Sequence, residues 1–400
     1  MEVTQIIAWI HRVMLTGLKP ATDHLGCEWP PGSRRAMEAG SPFARQLLGA
    51  FAGFKSDLEA RVICHRLPRS YMHNFVCEHD LACVHLAHLQ YGDFRSAAGW
   101  RTSAITHEDY MITSESSMSP WAEVPGWRKE RNLDDTLHDI YQGIGPLLVA
   151  STIVHCILEE IPKCTLEKLD LKLKSLYTNS YKPWCRENKT DSAGNSFSGV
   201  KFNREKTNKT YPELGSVYKA YEVKVIIFWA AFSCKDKLGS FQGRVRAMCL
   251  YSLASWIRVL DLAGGWLTKD EVESACKFGE QFLLCYQYLA GASLQAKVCL
   301  YKIIPKFQYF CHMLIYMKLT KRNVRFDACW MEEDLMGKLT NMSSKTHART
   351  FVLSVLTRYC CLVSVVDSVT ASAKLKKPYL CKMPEQHQQQ QQQHQRRQQQ

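Results

Sequence analysis

Val217-Tyr218-Lys219-Ala220-Tyr221-Glu222-Val223-Lys224-Val225-Ile226-Ile227-Phe228-Trp229-Ala230-Ala231-Phe232 decides the fold class. Val217, Tyr221, Val225, Phe228 and Phe232 recur at the spacing that lines one face of an α-helix. The same period returns in Val245, Cys249, Trp256 and Leu260, and again in Val272, Cys276, Phe282, Leu283 and Tyr286. These stripes read as core faces of packed helices with no cofactor implied. The chain is therefore expected to be mainly α.

Punctuation around these stripes fixes some ends. Thr268 followed by Glu271 fits a capping box with Leu267 as its staple, and Pro305 limits the helix expected to contain Val298 and Leu300. The polar stretch between Lys189 and Glu213 reads as an exposed, mobile loop that could face DNA. Alternating apolar residues at Val324, Phe326, Ala328 and Trp330 suggest a strand.

Outward from the helical region, residues 1–45 are broken by Pro30-Pro31-Gly32 and Arg34-Arg35 and are expected to be a poorly structured segment. Residues 46–130 mix short apolar runs with Cys and His, a small α/β part. There the run Leu47 to Phe54 is either a buried strand delivering Asp57 or a short helix. Residues 131–366 form the helical domain with the loop 189–213. Residues 367–400 are a disordered tail, basic and then Gln-rich.

With 400 residues, 46% of them hydrophobic, the chain can bury a sizeable core. Its seventeen cysteines are scattered through helical segments, and the first fifteen residues carry Glu2, His11 and Arg12, unlike a signal peptide. Reduced thiols and a nuclear or cytoplasmic location are expected. No uninterrupted apolar run reaches the roughly 18 residues of a membrane span. The net charge is +13, and from Lys318 to Lys382 twelve Lys or Arg stand against five acids. That flank suits a polyanion such as DNA, although solvated helix faces would carry the same charges.

Two acidic patches carry the candidate chemistry. Leu133-Asp134-Asp135-Thr136-Leu137-His138 runs into Gly143-Ile144-Gly145, and Trp330-Met331-Glu332-Glu333-Asp334-Leu335-Met336-Gly337 lies almost two hundred residues later. Carboxylates beside apolar residues are costly to desolvate without a cation or hydrogen bonds, so acids converging from distant segments would make a metal site. The other reading is that both patches open helices whose N-terminal dipoles favour negative charge. A second candidate centre lies in Cys64, Cys77, His79 and Cys83, with His85 and His88 nearby, which supply zinc-type ligands at a spacing that matches no standard zinc pattern.

The segment from Leu133 to Gly145 resembles cut-and-paste transposases at an Asp-x-x-His element, here Asp135 and His138. Ile304-Pro305-Lys306-Phe307-Gln308 to His312 resembles their Pro-Lys-x-His stretch, with Gln308 where a His is usual. Trp330 to Gly337 resembles their Glu-Asp-x-x-Gly element, and Arg358-Tyr359 a later Arg-Tyr pair. The likeness extends to Lys55-Ser56-Asp57-Leu58-Glu59 and to Arg69 through Cys77, where related protist families carry Cys-x-x-Cys and this chain has Asp80 at the second position. It covers about three quarters of the chain in short motifs.

The resemblance implies a ribonuclease-H-like core, here a remnant, with a helical insertion between the second and third acids. Asp57, Asp135 and Glu333, with Asp334 as an alternate, would be the catalytic carboxylates. They would hold two Mg²⁺ ions about 3.5–4 Å apart for DNA nuclease or strand-transfer chemistry. Asp80, Gln308 and the charged Trp127–Asn132 segment depart from that pattern. The expectation is a transposon-derived DNA-binding protein whose metal site is vestigial, leaning away from an enzyme; the alternative is a helical interaction module whose acids are caps.

Overall fold

The computed structural model describes residues 2–43, 48–67, 69–114, 119–162, 164–192, 194, 196–199, 202, 210–236, 238–344, 346–347, 350, 354–355 and 357–358. The tail 367–400 and Tyr359 lie outside the described residues. Within them the protein is mainly α, with one two-stranded parallel sheet, β1 (Phe54–Lys55) and β2 (Asn132–Leu133).

The segment 1–45, expected to be poorly structured, instead opens with α1 (Glu2–Thr16), whose Ala8 is buried. Phe51, Leu67, Tyr110, Trp121, Val124 and Trp127 join Ala8 in a core of their own. The turn residues that obscured this region in the sequence follow the helix rather than interrupt it.

β1 is short because the chain turns at once into α2 (Leu58–His65). Asp57 caps that helix, accepting the Ala60 N–H at 2.6 Å. Leu47 lies outside the described residues; of the rest of the Leu47–Phe54 run only Phe54 is in the strand, which does lead to Asp57, and the helix begins only after Asp57.

The helical body begins just beyond β2. A π-helical stretch, Leu137–Ile144, runs straight into α3 (Gly145–Glu160), buried on nearly every face from Leu147 to Ile157. Leu137–Glu160 is long and apolar enough to cross a membrane, yet 89% of its most apolar window is buried within the fold, as in a core helix. After α4 (Leu166–Leu176) come α5 (Ala220–Cys234), α6 (Phe241–Leu262), α7 (Lys269–Gln295), α8 (Lys306–Thr320) and α9 (Trp330–Ser343). α6 and α7 pack along their lengths, and α8 lies against α7 and the π stretch.

The stripes on α6 and α7 are core as expected: Cys249, Trp256, Phe282 and Tyr286 are fully buried. On α5 the helix is right and the face only in part: Val225 is buried as expected and Phe228 packs against the core, but Tyr221 and Phe232 are exposed, Val217 lies before the helix, and Val223, Ile226, Ile227 and Trp229 face inward. Apolar residues surround this helix, so periodicity cannot select the buried side.

The capping box at Thr268 and Glu271 forms, and Leu267 is buried beside it. α7 stops at Gln295, so Val298 and Leu300 lie in the connection, where Lys297 and Tyr301 take positive φ of 56°. Pro305 then precedes α8. The strand expected over 324–330 is absent: Val324–Asp327 is a 3-10 turn whose start is capped by Asn323, and that side chain also donates to Leu260 O and Gly264 O.

In the 189–213 loop Phe197 and Phe202 are fully buried, Phe197 against Tyr177, Tyr181 and Trp229. Its polar composition conceals two aromatic anchors. The described part is therefore fastened to the core, not simply exposed.

Candidate functional site

Phe54 pairs with Asn132 and Lys55 with Leu133 in the parallel ladder. Asp57 and Asp135 each follow two residues later, at the same end of the sheet. The third acid comes from the first turn of α9, which the backbone ties to the second: Cys329 N–H donates to Asp135 Oδ1 at 3.0 Å. Lys55 reaches the same turn, pairing with Glu332 at 2.7 Å and donating to Ala328 O at 3.4 Å.

His138 stands among the three acids. Its Nδ1 is hydrogen-bonded to Asp135, and its Nε2 lies 3.4 Å from Glu333 Oε1. Burial works to lower the imidazole pKa, but the bond to Asp135 and the charges of Asp135, Glu333 and Asp57 outweigh it and raise the value. Asp135, 2% exposed, also accepts the Leu137 N–H at 2.8 Å. Burial would raise its pKa, yet His138 and the two N–H donors hold it below the ordinary carboxylate value.

Asp334 takes no part in these contacts. It is bound by Lys338 one helical turn on, at 2.5 Å. Arg358, from the later Arg-Tyr pair, donates to Met342 O at 3.0 Å.

The neighbour of Asp135 faces a different partner. Asp134 accepts from Arg61 Nη1 at 2.9 Å, while Glu78 pairs with Arg61 Nε at 3.3 Å and the Tyr309 ring lies 5.2 Å from the guanidinium carbon. Arg61 and Glu78 are almost wholly buried. Burial alone would raise Asp134, but the Arg61 charge and His79 bring it down to about 2. The network locks α2 and the segment around Glu78 to the end of β2.

Next to His138 in sequence, Asp139 is buried and neither of its carboxyl oxygens has a hydrogen-bond partner. Desolvation and the nearby Asp134 charge push its pKa well above the ordinary value. Lys306 reaches in from α8 to donate to His138 O at 2.7 Å. Gly143 makes room for it: a Cβ there would lie 2.5 Å from Lys306 Cδ and 2.9 Å from that same carbonyl. π-helical stretches recur at functional sites, and this one carries His138 and Asp139 just after Asp135.

The expected zinc set does not assemble. Cys64 lies beside Ser119, which donates to its carbonyl, and Cys83 accepts from Leu86 N–H. His79 packs 4.6 Å from His312, ring to ring. Only Cys77 belongs to a cluster of metal-ligand spacing: among the described residues, Cys77, Asp80 and His312 are the set whose ligand atoms all lie within 4.8 Å of one another. Asp57, Asp135 and Glu333 do not form such a set among the described residues, and the His138 ring stands between Asp135 and Glu333.

Comparison with family models, curated proteins and solved structures finds no match in any of the three.

Sequence reasoning missed Arg61, Glu78 and Asp139, and gave Lys306 no role beyond its place in the Pro-Lys-x-His stretch. Asp134-Asp135 offered a partial signal, since two adjacent acids in folded chain need different cations. Nothing local to Arg61 marked it as buried.

Proposed function

We propose that this chain is a transposon-derived DNA-binding protein in which Asp57, Asp135 and Glu333 form a divalent-metal site. The observation that carries the reading is the parallel register, which sets Asp57 and Asp135 at one end of the sheet with Cys329, the residue that leads into α9, bonded to Asp135. Three acids drawn from segments so distant, on the residues of the transposase resemblance, are not required by helix capping alone.

The donor set fits a hard divalent cation of the magnesium or manganese kind, all oxygen and all carboxylate. His138 is the condition on that fit. Its ring sits between Asp135 and Glu333 and, when protonated, offsets one of their two charges, so metal entry requires Nε2 to leave Glu333. A cation held there would offset the charge of a DNA phosphate. Lys55 stands at the same edge, and the net charge of +13 favours the polyanion.

Titrating Mn²⁺ calorimetrically into the full chain and its Asp135→Asn variant tests the site. Saturable binding that the variant loses supports it; no binding to the unaltered chain removes it. DNA binding is measured alongside, as the salt dependence of affinity for duplex DNA, which must fall steeply with added salt.

A second reading has its own support. Asp57 caps α2, Asp135 accepts two backbone N–H groups and Glu333 lies in the first turn of α9. On that reading the chain is a helical interaction module. Asp135→Asn would then change stability with no metal effect to lose.

A further inference from the structure

We propose that Cys77, Asp80, Gln308 and His312 form a zinc site that fastens the tight turn at residues 75–83 to α8. Two of its donors come from the turn, where Phe75 and Cys83 are bridged and Val76 N–H donates to Ala82 O at 3.0 Å. The other two lie one helical turn apart on α8. The pattern is thus ligand-x2-ligand on a turn and ligand-x3-ligand on a helix, the spacing of structural zinc sites.

The distances fit a single ion. Cys77 Sγ lies 3.1 Å from Asp80 Oδ1 and 3.5 Å from His312 Nε2. His312 Nε2 lies 3.2 Å from Asp80 Oδ2 and 3.4 Å from Gln308 Nε2. Zinc bond lengths of about 2.0–2.3 Å give tetrahedral edges of about 3.3–3.8 Å. Slight expansion of the cluster satisfies them.

Gln308 supplies the independent sign. It is wholly buried; its Nε2 donates to Asp80 Oδ2 at 2.8 Å while its Oε1 has no partner. A buried amide oxygen without a partner calls for an explanation. Turning the amide over brings that oxygen to the cluster. There it would face the Asp80 carboxylate, which is favourable only with a cation between them.

Thiolate, imidazole and two oxygens suit zinc, which accepts soft and hard donors alike, better than magnesium. Binding would replace the proton that Cys77 now shares with Asp80. Asp80 and His312 also line a cavity of about 390 Å³ with His79, Trp100 and Asp134, which gives the ion a way in. This site shares no ligand with Asp57, Asp135 and Glu333 and stands or falls apart from them.

The test uses the full chain purified without affinity-tag metal, with zinc titrated against a chromophoric chelator and Co²⁺ as the spectroscopic probe. One equivalent of zinc is expected, and the cobalt form should show a thiolate-to-metal charge-transfer band with tetrahedral visible absorption. Cys77→Ser should lose that band. Gln308→Leu, which leaves the thiolate in place, should weaken zinc binding by at least the about 10–100-fold typical of changes around a metal centre. Gln308→His should tighten it. No zinc equivalent in the unaltered chain, or a thiolate band that survives Cys77→Ser, overturns the proposal. The charge-transfer band is blind to the carboxylate trio, so failure here leaves the Mn²⁺ experiment intact.

Discussion

Asp57 and Asp135 stand the same two residues beyond a parallel pair, because Lys55 lies opposite Leu133. Equivalent in register, they differ in surroundings. Asp57 caps a helix at the edge of the fold, whereas Asp135 is 2% exposed and holds Leu137, Cys329 and His138 together. Asn caps a helix about as well as Asp, so Asp57→Asn should cost a few tenths of a kcal/mol, roughly. Asp135→Asn removes a charged acceptor from a buried site and should cost about 1–3 kcal/mol. Urea unfolding of the two variants checks this; equal losses would mean that the Asp135 contacts are not made in solution.

His138 and Asp135 give the stability a definite pH profile. The folded His138 pKa lies above its ordinary 6.5, so its contribution is complete below that pH and is lost as pH rises through the folded value. Asp135, lowered from 3.8, contributes above that pH and loses its contribution as acid protonates it. Stability from the pair should peak between the two. His138→Gln should flatten the fall on the alkaline side, read as the urea midpoint across the neutral range, and an unchanged slope would place the proton elsewhere.

Burial on the acid side follows the opposite sign. His65 packs 4.4 Å from the Phe54 ring and stacks 5.6 Å from Trp127, with no partner for either ring nitrogen. Burial and then the Arg61 charge press its pKa down to about 4. The unfolded chain binds that proton first, so stability should fall as pH drops from 6.5 toward 4. The whole effect is on the order of 3 kcal/mol. His65→Phe should remove that part of the acid sensitivity, and a variant as acid-labile as the unaltered chain would refute it.

How much of this was legible depends on whether the signal is local. Cys249, Trp256, Phe282 and Tyr286 could be placed in the core because a helical period meets a polar opposite face. α5 could not be oriented, because Phe232 and Trp229 look equally apolar in sequence and only the neighbouring helices decide between them. Asp57, Asp135 and Glu333 stand out in short motifs, and the register that sets Asp57 and Asp135 at one end of the sheet is a long-range pairing that no window reveals. The metal-spaced cluster was half seen. Cys77 was found, but Asp80 was set down as a departure and His312, on the far side of the helical region, was not connected to it.

Asp139 provides the most direct test of the electrostatics around the site. Its carboxyl is buried beside Asp134 with neither oxygen hydrogen-bonded, and desolvation followed by the Asp134 charge holds the proton on. In the unfolded chain the same group ionises near 3.8. Between that value and its own raised pKa the folded state therefore binds more protons, and stability declines as pH rises above 3.8. Asp139→Asn keeps the size and removes the ionisation, so it should stabilise the protein at neutral pH and change little in acid. Proteins retain such costs where a site needs them, and the π stretch sets Asp139 one residue from His138. Should Asp139→Asn instead destabilise at neutral pH, the carboxylate is charged in the folded protein and Lys306, whose charge acts against the upward shift, is its counterion.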